Sequence, residues 1–207
     1  MVKVDFRKEI ETYSARKGRF SLVTVPAMQF LMIDGHGDPN TAQEYRDALE
    51  TIYPVAYALK FASKRELDRD YAVMPLEALW SAEDMDSFTT ARDKSQWNWT
   101  LMIMTPDWIT GAHVESARES VALKGTAPVL GALRLETLDE GLCVQTLHVG
   151  PYDDEAPVLD ELHHGFIPDS GLRMTGRHHE IYLSDPRRAA PEKLRTILRQ
   201  PVTASKG

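Results

Sequence analysis

One cysteine, Cys143, is all that this chain of 207 residues carries. A lone cysteine closes no intramolecular disulfide and builds no zinc site, so the sequence reads as a soluble, cytoplasmic protein of a reducing compartment. Long apolar runs are missing too. None approaches the ~20 residues of a membrane-spanning helix, and residues 1–25 lack the apolar core of roughly 7–15 residues that marks a signal peptide. Positive charge is scarce: 24 Lys and Arg against 31 Asp and Glu leave a net charge of −7, with the basic residues scattered among acids. Nucleic acid is gripped through its phosphates by clustered Lys and Arg, so no such partner is expected. Metal chemistry lacks its spacing as well. His163-His164 and His178-His179 are adjacent pairs, and neighbours along a strand point to opposite faces. The turn Gly35–Asn40 lacks the Lys-Ser/Thr ending of a phosphate loop, and no Gly-x-Ser-x-Gly nucleophile elbow occurs. Neither a metal nor an organic cofactor is expected.

What remains is an ordinary globular composition, 43% hydrophobic and 27% charged, in a chain long enough to bury a core. A charged arm occupies 1–19. Strand-like runs follow at Phe20–Val25 and Gln29–Asp34, parted by Pro26. After the Gly35–Asn40 turn, Asn40 or Thr41 caps a helical pattern reaching Lys64, within which Pro54 predicts a kink or break. Strands are expected at Tyr71–Trp80 and Gln96–Thr105, joined by an acidic loop around Glu83–Lys94. A second amphipathic helix, His113–Lys124, lies in the connector 107–131. The order then repeats: an Ala132–Thr137 and Leu142–Val149 hairpin across Leu138–Gly141, a turn, a helix near 153–165, a strand Arg177–Leu183 and a last strand Leu194–Pro201. Hairpin, turn, helix, strand, strand therefore occurs twice, at 20–106 and 132–207, with negligible sequence identity between the copies. The expected architecture is one α+β domain: two fused strand–helix–strand–strand modules with pseudo-twofold symmetry, antiparallel sheets, helices on one face and a ligand cleft on the other.

The tract Arg177–Ser184 carries the most chemistry. Alternation along a strand puts Ile181 and Leu183 with His179 on one face, and His178, Glu180 and Tyr182 on the other. A carboxylate held against aromatic walls is desolvated, the condition that moves carboxyl groups toward proton transfer. The same pattern fits a half-buried strand whose Glu180 pairs with Arg177 and does nothing chemical. Glu77 occupies the corresponding place in the first module and suits a solvated edge equally well. Trp97 and Trp99 share a face that either fills the core or stacks on a flat ligand. Trp80 and Trp108 read as packing residues, and His148 as a residue that orients a partner side chain.

Four separated runs resemble the GyrI-like small-molecule-binding proteins: Pro26–Pro39 (PAMQFLMIDGHGDP), Trp97–Met104 (WNWTLMIM), His148–Asp154 (HVGPYDD) and His178–Arg188 (HHEIYLSDPRR). The resemblance covers nearly the whole chain and is to the stand-alone branch, which lacks DNA-binding helices. It implies a ligand cleft between two modules and a Glu, here Glu180, ringed by aromatics. It also implies either hydrolysis of genotoxic cyclopropanoid alkylators by water addition, or non-catalytic capture or sensing of hydrophobic cations. Moderation of gyrase inhibition is a third role within the family. On the hydrolase reading, Glu180 directs water and Tyr71 stabilises the oxyanion formed as the ring opens. Trp97, Trp99, Glu77, His148, Tyr152, His178 and Tyr182 would line the site. The expected partner is a hydrophobic aromatic small molecule.

Overall fold

The computed structural model describes residues 2–82, 94–125 and 127–205; the acidic loop expected at 83–93 lies outside them. Eleven strands appear among these residues. The first two, β1 (Lys3–Val4) and β2 (Ser21–Val25), flank the short helix α1 (Phe6–Glu9) and a 3-10 turn at Glu11–Tyr13. Then come β3 (Met28–His36), α2 (Gln43–Glu66), β4 (Asp70–Tyr71), β5 (Leu76–Ser81), β6 (Asn98–Thr105) and α3 (Gly111–Ala122). The second half holds β7 (Arg134–Leu138), β8 (Gly141–Val149), α4 (Ala156–Asp160), α5 (Ile167–Asp169), β9 (Leu172–Met174), β10 (His178–Tyr182) and β11 (Arg195–Ala204). The α+β class expected from the sequence is observed.

The main sheet runs β2-β8-β11-β10-β5-β6-β3-β7, with β9 on the far end of β11. All its pairings are antiparallel. The β2–β3 and β7–β8 hairpins expected from the sequence do not form. Instead β2 pairs with β8 and β7 with β3, so each half lends its first strand to the other. The consequence is geometric. Only Pro26 and Ala27 separate β2 from β3, a link that reaches roughly 11 Å at most. Six strand spacings of a flat sheet would hold them about 29 Å apart. The sheet must therefore curl until its two ends nearly meet.

Curling buries the face turned away from the helices. Phe30, Met32, Leu79, Met102, Ile181 and Ile197 fill it, together with four ionisable side chains: Glu77, His179, Arg199 and Glu140. His179 bridges two carboxylates, with Nε2 at 3.0 Å from Glu77 and Nδ1 at 3.0 Å from Glu140. Arg199 donates to Glu140 at 3.0 Å, to Gln145 at 3.1 Å and to the Thr12 carbonyl at 2.7 Å. The Tyr13 hydroxyl donates to Glu77 at 2.6 Å, tying the N-terminal arm into the cluster. Burial alone would depress His179, yet Glu140 and Glu77 together raise it. Burial alone would lift Glu140, but His179 and Arg199 bring it down to about 2. Two carboxylates thus face two cations, and nearly every charge has a partner.

On the helix face, α2 packs over β3 and β6 through Ala48, Ile52, Val55, Ala56 and Leu59. It runs unbroken through Pro54. The expected break does not occur, because that buried stripe continues on both sides of the proline and offsets the lost backbone bond. The expected Asn40 or Thr41 cap is also absent: Ala42 is the N-cap, with no side-chain bond, and the Asp38 carbonyl takes the Thr41 and Ala42 amides instead. The strand expected from Tyr71 to Trp80 is split by residues 72–75, and β4 pairs in parallel with β1 of the arm. The helix expected near 153–165 forms as α4 and then widens into a π-type turn, Glu161–Phe166.

Two tests follow from this packing. Glu140→Gln leaves Arg199 and His179 short of a counter-charge, at an expected cost of about 3 kcal/mol at neutral pH. Because Glu140 is held near 2, below its ordinary 4.5, that contribution is present above 4.5 and is lost as pH falls toward 2. Urea unfolding should therefore show the wild-type margin over E140Q shrinking over that window. A margin that does not vary with pH would contradict the cluster's electrostatic origin. A methyl at Gly35 would overlap the Trp99 indole, so Gly35→Ala should lower the urea midpoint by the equivalent of ~1–3 kcal/mol.

Candidate functional site

A cleft of about 1390 Å³ opens on the helix face, between α2 and α4 and above β5 and β10. The sequence places it on the face opposite the helices. It lies instead on the same face, because curling closes the other one around the ionic cluster.

Register decides which side chains reach it. Glu180 stands opposite Ala78, and His178 opposite Trp80. His178, Glu180, Tyr182 and Trp80 therefore rise from one patch of sheet into the cleft. Glu77 stands opposite Ile181, one residue out of step with Glu180, and a one-residue offset sends a side chain to the other face. Glu77 is consequently inside the curl and not a cleft counterpart of Glu180.

Glu180 is 14% exposed through its side chain, and its Oε1 lies 3.6 Å from His178 Nε2. The Tyr182 hydroxyl donates to its Oε2 at 2.6 Å, and Trp80 Nε1 donates to that hydroxyl at 3.2 Å. This chain fixes the carboxylate's orientation. Arg177 does not pair with it; its guanidinium donates to Thr100 at 2.7 Å. Burial, then the Glu180 charge, keeps the Tyr182 phenol well above its ordinary range.

The walls are aromatic. Trp80 meets Trp97 edge-on at 5.3 Å and lies near-parallel to Tyr45 at 6.4 Å, while Tyr152 meets Tyr182 at 5.5 Å. From α2, Tyr45, Leu49, Tyr53 and Tyr57 line the cleft, each four residues from the last, so they form one stripe beside the core stripe. Trp99 sits behind this layer, 1% exposed, with its ring 5.0 Å from Tyr45 and its Nε1 donating to the Gly37 carbonyl at 3.2 Å.

Of the residues singled out from the sequence, Glu180, Trp97, Tyr152, His178 and Tyr182 come together in the cleft. Trp99, Glu77, His148 and Tyr71 do not line it. His148 Nε2 lies 3.0 Å from the Pro151 carbonyl, holding the turn that carries Tyr152. Tyr71 packs edge-on against Trp108 at 6.1 Å, and burial lifts its phenol above the ordinary range. Trp80, read from the sequence as core, contributes to both core and wall.

Besides the stripe on α2, two further cleft residues escape the sequence reading. Glu155, at the start of α4, is 4% exposed. Burial, then the Glu180 charge, pushes its carboxyl well above the ordinary range. His163 sits on the π-type turn, a distortion that often marks functional positions, with its ring 5.5 Å from His178. Burial, then His178, drops it to about 3, so it is neutral at physiological pH. Among the described residues, no three His, Cys, Asp or Glu side chains group to hold a metal ion, and no helix is long and apolar enough to cross a membrane.

The GyrI-like small molecule binding domain matches residues 19–203. The chain belongs to that family. Among solved structures, an uncharacterized conserved protein from Listeria innocua shares 40% identity over 97% of this chain and 100% of its own, with a TM-score of 0.88. Two proteins from the same organism described as hydrolases share 39% and 38% identity over 97% and 98% of this chain and 100% of theirs, with TM-scores of 0.83 and 0.85. The C-terminal domain of EcmrR shares only the fold, at 12% identity over 90% of this chain and 98% of its own, with a TM-score of 0.57. No curated protein matches the chain significantly. A GyrI-like domain with this aromatic lining should hold flat ligands against Trp80. Trp80→Phe is expected to weaken binding of a planar aromatic dye about three- to tenfold, and Trp108→Phe to leave it unchanged, in a fluorescence titration.

Proposed function

We propose that this GyrI-like protein binds planar, hydrophobic small molecules in the cleft and hydrolyses strained cyclopropanoid electrophiles there, protecting against genotoxic alkylators. The observation that carries the reading is Glu180, held by Tyr182 at 2.6 Å in a cleft walled by Trp80, Trp97 and Tyr45. The description of two Listeria innocua relatives as hydrolases supports it.

In this mechanism the ligand lies against the indoles, and Glu180 orients a water and takes its proton as the oxygen attacks the cyclopropane carbon. The bond between that carbon and the ring system breaks. Its electron pair moves through the conjugated rings onto the ligand carbonyl oxygen, which becomes a phenolate and takes up a proton. One water has then been added. Relief of ring strain supplies much of the driving force, so one positioned carboxylate in an aromatic cleft suffices. The oxyanion role inferred for Tyr71 needs a group that lines the cleft, and Tyr71 does not.

A second reading, capture of hydrophobic cations without turnover, is favoured by the pair of carboxyl groups, Glu155 and Glu180, among aromatic rings. Incubation with a cyclopropapyrroloindole alkylator in 18O-labelled water, followed by mass spectrometry, separates the two. The hydrolase reading expects a labelled water adduct from wild type and at least a ~100-fold slower rate in Glu180→Gln with binding retained. Binding by wild type with no adduct would leave only the capture reading.

A further inference from the structure

Glu155 has a chemistry of its own. It stands where the 3-10 turn Tyr152–Asp154 passes into α4, lines the cleft, and its Oε1 has no hydrogen-bond partner among the described residues. The groups that face it come from four elements. Glu180 and Tyr182 approach from β10, Tyr152 and Asp153 from the preceding turn, Lys94 from across the cleft, and the Thr196 hydroxyl from β11. Lys94 is bound to Asp153 at 2.9 Å. His148, opposite Thr196 in the β8–β11 ladder, is turned to the Pro151 carbonyl at 3.0 Å. Among the described residues no cation forms an ion pair with Glu155. Two carboxyl groups in one cleft, with no Lys or Arg ion-paired to either among the described residues and Glu155 only 4% exposed, do not both ionise readily. Glu180 already accepts the Tyr182 hydroxyl at 2.6 Å, whereas Glu155 is the more deeply buried of the two and its Oε1 is unpartnered among the described residues. That leaves Glu155 as the group that keeps its proton.

We propose that Glu155 is the cleft's proton-bearing ligand contact: as a carboxylic acid it donates a hydrogen bond to the carbonyl oxygen of an uncharged planar ligand, and as a carboxylate it selects a planar cation instead. The inference rests on reading the cleft as a small-molecule site. Within the ring-opening reaction it completes the proton inventory. Glu180 takes one proton from water while Glu155 gives one to the ligand oxygen that receives the electron pair of the broken C–C bond. Exchange with solvent then returns both carboxyl groups to their starting states. The ligand class follows: flat aromatics with a carbonyl at the edge while Glu155 is protonated, and flat cations once it is ionised.

A matched pair of unreactive probes tests this, acridone for the uncharged carbonyl ligand and N-methylacridinium for the cation, titrated by fluorescence across roughly pH 5 to 9. Wild type is expected to lose acridone affinity about tenfold as pH rises through the Glu155 titration, and to gain affinity for N-methylacridinium over the same range. Glu155→Gln, which keeps a neutral donor of the same shape, should hold its acridone affinity across the range and show no gain for the cation. Flat affinities for both probes in wild type would overturn the proposal. So would a pH response that persists in E155Q, since it would then belong to another group. Binding of neither probe by wild type would overturn the reading of the cleft itself, and this inference with it.

Discussion

Alternation along β10 is the constraint on which the rest of the molecule hangs. His179 and Glu180 are adjacent, yet the strand sends one into a sealed ionic cluster and the other into an open cleft. Both destinations exist because the sheet curls. The two-residue link between β2 and β3, with its equivalent between β7 and β8, draws the ends of an eight-strand path together. One face becomes an interior and the other the seat of the helices. A shift of one residue in the β10–β5 register would exchange these roles and place Glu180 among the core residues.

The two faces handle charge in opposite ways. Inside the curl, Glu77 and Glu140 face His179 and Arg199, and the remaining donors of Arg199 go to Gln145 and the Thr12 carbonyl. Such a cluster is saturated, and it holds register rather than performing chemistry. In the cleft, Glu180 has a phenol and Glu155 lacks any ion-paired cation among the described residues. A buried carboxyl group without an ion-paired cation is costly to the fold, and such groups cluster where a ligand can complete them.

Much of this was legible in the sequence, and the failures have physical causes. The helices, most strands and the patch His178, Glu180 and Tyr182 follow from periodicity, which is a local property. The resemblance of four motifs to GyrI-like proteins correctly gave the family. The hairpins were wrong because adjacency along the chain was taken for adjacency in the sheet, and the strand exchange depends on partners more than a hundred residues away. Glu77 is misplaced because it stands opposite Ile181, one residue out of step with Glu180, and the pattern of a single strand does not give its register against another. Trp99 and Tyr71 enter as ligand contacts through strand alternation and the hydrolase reading of the resemblance, whereas depth in the core is set by the layers above them. Glu155 carried no signal, since an acidic residue beside Asp153 and Asp154 looks like a solvated turn. The stripe Tyr45-Leu49-Tyr53-Tyr57 was there to be found, as a run of four-residue steps offset from the core stripe of the same helix.

That offset explains how one helix serves both the core and the ligand. In α2, Ala48, Ile52, Val55 and Leu59 are buried against the sheet, while the tyrosine stripe faces the cleft. Pro54 lies beyond the tyrosine stripe, on the side of the helix away from the core stripe, and lines the cleft. As a proline it donates no backbone bond to the Glu50 carbonyl four residues back, in an otherwise continuous helix. The core stripe tolerates the proline because its packing runs on past it. Fold stability and ligand contact are thereby divided between two sides of one cylinder, so the cleft face can change its side chains while the core face keeps the helix in place.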